Sequence, residues 1–133
     1  MPCYMLDTNM CIYLMKNQPE EVSQRFAQCY VGDVVMSAIT LAELVFGVSV
    51  CANPERERKN LDALIELIEV KSFNVNAAGS YGSVRKATRE RKSDHLDKLI
   101  AAHAISLGAT LVTNNERDFA AYPLLTVENW IKC

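Results

Sequence analysis

Four acidic residues stand in places where an apolar segment has little use for charge. Asp7 directly follows the apolar run Cys3 to Leu6, and Glu43 interrupts the stretch Ile39, Leu41, Ala42, Leu44, Val45 and Phe46. Asp97 precedes Ile100, Ala101 and Ala104 by three, four and seven residues, which on a helix places it on their inward face. Asp118 follows Ala109 to Val112 through the polar turn Thr113-Asn114-Asn115. Each has a plainer role open to it: a helix cap for Asp7, an exposed helix edge for Glu43, dipole compensation for Asp97, a solvated loop for Asp118. Brought together, they would do chemistry. Carboxylates a few ångströms apart repel by about 1 kcal/mol per pair in water and about 4 at an effective dielectric of 20, so a cluster calls for a cation. Oxygen donors alone suit Mg²⁺ or Mn²⁺ and match zinc poorly.

The elements that must position these acids are short apolar strands alternating with helices. Cys3 to Leu6, Val34 to Met36, Val70 to Phe73, Ala109 to Val112 and Leu124 to Val127 read as strands. Thr8-Asn9 offers caps for a helix from Met10 to Lys16, and Pro19-Glu20-Glu21 opens a second with Val22, Phe26 and Cys29 on one face. Ile39 to Val48 is apolar nearly all round, which predicts deep burial. Asn53-Pro54-Glu55 opens a helix carrying Leu61, Leu64, Ile65 and Ile68. Another is predicted from about Ala77 to Lys92, with the stripe Ala77, Tyr81, Val84 and Thr88, and a last one runs from Leu96 to Leu107 with Gly108 closing it. This alternation predicts an α/β domain whose mainly parallel sheet is covered by helices on both faces. Ligand sites in such sheets form beyond the carboxyl ends of the strands, where Asp7 and Asp118 would stand.

Composition narrows the class. A chain of 133 residues, half of them hydrophobic, is long enough for one core without disulfides, and no repeat or linker divides it. Its 14 Lys+Arg against 16 Asp+Glu leave a net charge of -2, so any grip on nucleic acid has to come from a local patch. Cys3, Cys11, Cys29, Cys51 and Cys133 show no C-x-x-C spacing and read as reduced packing thiols. Neither a signal-peptide pattern nor an apolar stretch of membrane-spanning length is found, so a soluble cytoplasmic protein without a membrane role is expected.

Four segments stand out in order along the chain: Met5-Leu6-Asp7-Thr8-Asn9, the run from Ser37 to Gly47, Asp97-Lys98-Leu99-Ile100-Ala101-Ala102-His103-Ala104, and the run from Leu111 to Phe119. Together they resemble the motifs of the PIN domain, and within it those of the VapC toxins of bacterial toxin–antitoxin modules. The resemblance spans essentially all of residues 1–133, taken as a single PIN domain. It implies a parallel sheet flanked by helices, with Asp7, Glu43, Asp97 and Asp118 lining one acidic pocket, and Asp7 and Asp97 as metal ligands. It implies an Mg²⁺-dependent endoribonuclease, a VapB-like antitoxin and a homodimer, with tRNA as substrate and the initiator tRNA anticodon stem-loop the particular target of similar relatives. Lys92-Ser93-Asp94-His95-Leu96 stands where relatives carry a glycine-containing loop, which leaves Asp94 and His95 open as pocket residues. The register of the segment after it favours Asp97. His103, about 240° around the helix from Asp97, reads as structural.

On this reading Thr8, Asn9, Thr113 and Asn115 are hydrogen-bonding groups that orient the carboxylates. Arg85, Arg89 and Lys92 fall on one ridge of the helix before Asp97, with Lys86 beside them and Lys98 just beyond, and together they predict an RNA track. Two rivals stand. A phosphoryl-transfer domain would use Asp7 as covalent nucleophile, although Asp7-Thr8-Asn9 lacks the second aspartate of a D-x-D pattern. A PIN-like interaction module without turnover would be expected to have lost carboxylates, and all four are present.

Overall fold

Every strand pairing among the described residues is parallel. The computed structural model describes residues 2–131, so Cys133 lies outside the described residues. β1 (Tyr4–Leu6) lies between β2 (Val34–Ser37) and β4 (Thr110–Val112), with β3 (Glu69–Lys71) beyond β2 and β5 (Val127–Glu128) beyond β4. The chain builds outward from β1 in one direction, then returns to its other side. The order therefore reverses at β1 and β4, where an α/β sheet opens a crevice at its carboxyl edge. Asp7 and Thr113, the residues after these two strands, stand there.

Alternation along the strands sorts the core into two layers. Leu6, Val34, Met36 and Val112 pack with Met10 of α1 (Thr8–Lys16), Val22 of α2 (Glu20–Ala27) and Leu61 and Leu64 of α4 (Pro54–Leu67). Met5, Val35 and Leu111 pack with Val84 of α5 (Val75–Ala87) and with Ile100, Ala101 and Ala104 of α6 (His95–Leu107). Asn53 and Asn74 cap α4 and α5 through their side chains, and Gly108 ends α6 at φ 65°, a left-handed turn that glycine adopts without strain.

Several elements differ from the sequence expectation. The first helix starts at Thr8 and takes Asp7 as its cap, so Thr8 and Asn9 are already helical. α3 (Ala38–Val50) is apolar all round yet buries only Thr40 and Leu44 fully, while Phe46 is 68% and Val50 65% exposed in the single chain. Its remaining apolar face exceeds what the sheet and its helical neighbours cover. α5 stops at Ala87 rather than near Lys92: Thr88 turns its hydroxyl onto the Val84 carbonyl, and residues after it form a turn. A one-turn helix, α7 (Glu116–Phe119), carries Asp118, where the sequence suggested a simple polar turn. No helix of the described residues is long and apolar enough to cross a membrane.

Candidate active site

Asp7 is fixed from both sides of its backbone. Its amide donates to the Val112 carbonyl at 3.0 Å, continuing the β1–β4 pairing, and its Oδ1 accepts the Met10 amide at 2.9 Å as the α1 cap. The plain reading of this residue, a helix cap, holds, and the cap leaves Oδ2 outside that bond. Asp7 is 5% exposed, and burial pushes its carboxyl above the ordinary range against the pull of Thr113 and the Met10 and Asn9 amides; nearby Glu43 adds to the rise. Thr113 and Asn9 therefore both touch Asp7, but Asn9 does so through its backbone amide, not the side chain expected from the sequence.

Glu43 does not stand alone on its apolar helix. The Thr8 hydroxyl donates to Glu43 Oε1 at 2.6 Å and lies 3.4 Å from the hydroxyl of buried Thr40, tying α1 to α3. Among the protein's own groups Glu43 meets this hydroxyl, and no basic side chain pairs with it among the described residues. Asp97 sits in the first turn of α6, partly buried. Burial pushes its carboxyl up to about 6, and the charges of Glu43, Asp7, Asp94 and Asp118 each raise it further. The other three predicted acids therefore all bear on Asp97, and Glu43 bears on Asp7 as well.

Asp118 is the outermost of the four. It is exposed on α7, where Asn115 Nδ2 donates to its Oδ2 at 2.9 Å and the Asn115 amide donates to Thr113 Oγ1, also at 2.9 Å. A cleft of about 250 Å³ opens between Glu43 and Asp97, walled by Lys92, Ser93, His95 and Leu96. His95 thus borders the cleft, while Asp94, also on its wall, has both oxygens engaged. Oδ2 accepts the Tyr122 hydroxyl at 2.6 Å, and Oδ1 has no partner but the Lys98 ammonium, 3.1 Å away. Burial pushes the Asp94 carboxyl up, but Tyr122 and Lys98 outweigh it and hold the group below the ordinary carboxylate range.

The basic residues divide. Arg85, Lys86, Arg89 and Lys92 are exposed, but with α5 ending at Ala87 they do not form one helical ridge; only Arg85 and Lys86 are helical, and Lys92 borders the cleft. Lys98 is no RNA contact. It is 1% exposed, and its ammonium donates to the Thr88 and Arg91 carbonyls at 2.9 and 2.8 Å besides pairing with Asp94. Sequence reasoning missed Thr40, Arg91 and Tyr122 as supports of the site. The one available signal was the spacing of Asp94 and Lys98 at i and i+4. His103 is structural: buried, with Nδ1 2.7 Å from the Ser37 hydroxyl that caps α3, and its ring edge-on to Phe73.

The donor set is all carboxylate, of which two members are raised by burial and mutual repulsion, and that chemistry fits a hard divalent cation. Among the described residues no three acidic, histidine or cysteine side chains stand close enough to enclose an ion by themselves. Such a fit needs water molecules to complete the coordination, the usual habit of Mg²⁺.

The family model of the PIN domain matches residues 4–124. The chain is 38% identical over 130 residues, 96% of its length and 97% of the relative's, to the tRNA(fMet)-specific endonuclease VapC of Salmonella typhimurium. It is 36% identical over 132 residues, 97% of its length and 98% of the relative's, to ribonuclease VapC2 of Rickettsia felis. Among solved structures, the DNA-bound VapBC of Salmonella typhimurium superposes with a TM-score of 0.90 at 36% identity, covering 98% of this chain and 100% of that one.

Proposed function

Because the chain belongs to the PIN-domain family, among the VapC ribonuclease toxins of VapBC toxin–antitoxin systems, we propose that it is a Mg²⁺-dependent endoribonuclease that hydrolyses tRNA and so stops translation. The observation that carries this reading is the convergence of Asp7, Glu43, Asp97 and Asp118 at the carboxyl edge of β1 and β4, with Asp97 raised to about 6 by burial and the other acids. A cation held there would supply Lewis-acid activation of water and neutralise charge at the scissile phosphate. Mn²⁺ would substitute for Mg²⁺.

The residues divide the work. Asp7 and Asp97, the two acids that burial raises, hold the cation in their ionised forms. Glu43, oriented by the Thr8 hydroxyl, accepts the proton of the attacking water. Asp118, oriented by Asn115, completes the rim. Lys92 borders the cleft and offsets the charge of an entering phosphate, and the exposed Arg85, Lys86 and Arg89 add to the grip on the RNA backbone. Attack by water leaves a 5′-phosphate and a 3′-hydroxyl. The initiator tRNA is the first substrate to test, since the Salmonella relative bears that specificity in its name. A VapB-like antitoxin neutralises the enzyme, which pairs as a homodimer.

The test is sequencing of RNA ends after brief induction in cells. A dominant cut in one tRNA anticodon stem-loop with a 5′-phosphate, absent with Asp7→Asn, is expected. Unchanged RNA under toxic expression would overturn the reading.

A further inference from the structure

Three of the four acids lie within or next to strands and helices that the core fixes, whereas the segment joining α5 to α6 buries only Thr88 and the short α7 is anchored by the single buried ring of Phe119, with Asp118 exposed beside it. A connected set of polar contacts holds them instead. Lys98, buried in the first turns of α6, directs its ammonium at three oxygens: the Thr88 carbonyl at 2.9 Å, the Arg91 carbonyl at 2.8 Å and Asp94 Oδ1 at 3.1 Å. Asp94 Oδ2 accepts the Tyr122 hydroxyl at 2.6 Å and lies 3.6 Å from the Arg91 guanidinium. Arg91 in turn covers the Tyr122 ring at 5.7 Å and donates to the Asp118 carbonyl at 2.8 Å. The set therefore begins at the residue after Asp97 and ends on the backbone of Asp118.

A buried ion pair is poor evidence for stability, because an apolar pair of the same volume serves as well or better. Its retention in this position has another physical use, since directional contacts fix geometry where packing does not. We propose that Lys98, Asp94, Tyr122 and Arg91 form a clamp that positions Asp97 and Asp118 relative to each other and thereby sets the divalent-cation affinity of the cleft. The proposal rests on the reading of the four acids as a cation site. These are positioning residues: none of them is among the four acids assigned to the cation, and each acts through its contacts with the others. Their role resembles that of the groups behind metal ligands generally, whose loss weakens binding by about 10- to 100-fold.

The test is Mn²⁺ titration of the purified full chain, followed by electron paramagnetic resonance, for the wild type and for Arg91→Ala, Arg91→Lys, Tyr122→Phe and Lys98→Met. Arg91 is partly exposed and Tyr122→Phe keeps the ring against Phe119, so both remain foldable if Lys98→Met does not. A rise in Mn²⁺ Kd of about tenfold or more is expected for Arg91→Ala and Tyr122→Phe. Partial rescue is expected in Arg91→Lys, with cleavage rates recovering at saturating Mn²⁺. A purely structural role would lower the melting temperature and leave Kd at the wild-type value, which overturns the clamp. Failure of the wild type itself to bind Mn²⁺ overturns the cation-site reading first, and the clamp with it.

Discussion

Replacing Asp97 by asparagine removes one charge from a crowded cleft, and its effect on stability follows from the titration of that group. The carboxyl sits at about 6 in the folded chain against an ordinary 3.8. A difference of roughly two units at about 1.4 kcal/mol each gives an upper bound near 3 kcal/mol. The side chain keeps contact with water, whose screening brings this down to about 1–2 kcal/mol. The lost interaction with the α6 dipole subtracts about 0.3–1 kcal/mol, so a net gain remains. The sign is set by an acid whose folded value is raised: the ionised form is disfavoured by folding, so the penalty is complete above pH 6 and disappears as pH falls toward 3.8. Asp97→Asn should therefore melt higher than the wild type by a few degrees at pH 7.5 in chelator, at roughly 4 °C per kcal/mol, and equal to it near pH 4. Excess Mg²⁺ should narrow the gap at pH 7.5, because only the wild type gains by binding it tightly. Thermal melts at the two pH values with and without Mg²⁺ give all four numbers. A variant that melts at or below the wild type at pH 7.5, or gains equally at both pH values, refutes the electrostatic account.

Thr8→Val removes the 2.6 Å hydrogen bond to Glu43, and since bonds to charged groups are worth about 1.5–3 kcal/mol, kcat should fall at least tenfold with Mn²⁺ affinity little changed; single-turnover cleavage reads it. Chelation should stop cleavage, with Mg²⁺ or Mn²⁺ restoring it and Ca²⁺ failing to, because its looser coordination aligns the attacking water poorly; gel assays of labelled RNA decide. Each of Arg85→Ala, Arg89→Ala and Lys92→Ala should lower the slope of log affinity against log salt by roughly 0.7, whereas Lys98 has no such part; an unchanged slope in filter binding removes that residue from the RNA track. His103 is held below its ordinary value of 6.5 by burial first and the Lys71 charge second. The stability it contributes is therefore present above pH 6.5 and lost as pH falls below it, and His103→Gln should flatten the difference in urea midpoint between pH 7.5 and 5.

The first four strands, the two core layers and the acids' places in the chain were legible because each rests on local alternation or on a charge set in an apolar segment; the last strand, expected over Leu124 to Val127, instead pairs at Val127–Glu128, because Leu124 sits in a turn at positive φ. What was not legible was decided by tertiary contact. The stripe Ala77, Tyr81, Val84 and Thr88 runs on past Ala87 because Thr88 is still buried, yet the helix stops where Lys98 takes the Thr88 carbonyl. Lys98 itself reads as a surface cation by type, and only the approach of Asp94 and two carbonyls makes its burial tolerable. The sequence of α3 shows that it is apolar all round but not which side its own chain covers. Asp94 and Asp97 lie three positions apart, and while the register after them favours Asp97, the engagement of Asp94 by Tyr122, far along the chain, is not readable locally.

The double engagement of Asp7, helix cap and site carboxylate at once, bears on how such a gene can lose its harm. Asparagine caps a helix as well as aspartate does, and the two residues are one base apart at the first codon position. A cell escaping the toxin by this substitution would keep a chain with its α1 start intact and one buried charge fewer. The product would still fold and still present its surface to the antitoxin, drawing antitoxin away from active copies. Loss by Asp7→Ala would remove the cap as well and yield a weaker competitor. Disarmed alleles carrying asparagine should therefore be the persistent ones, and their presence should sensitise a cell to any intact copy it retains.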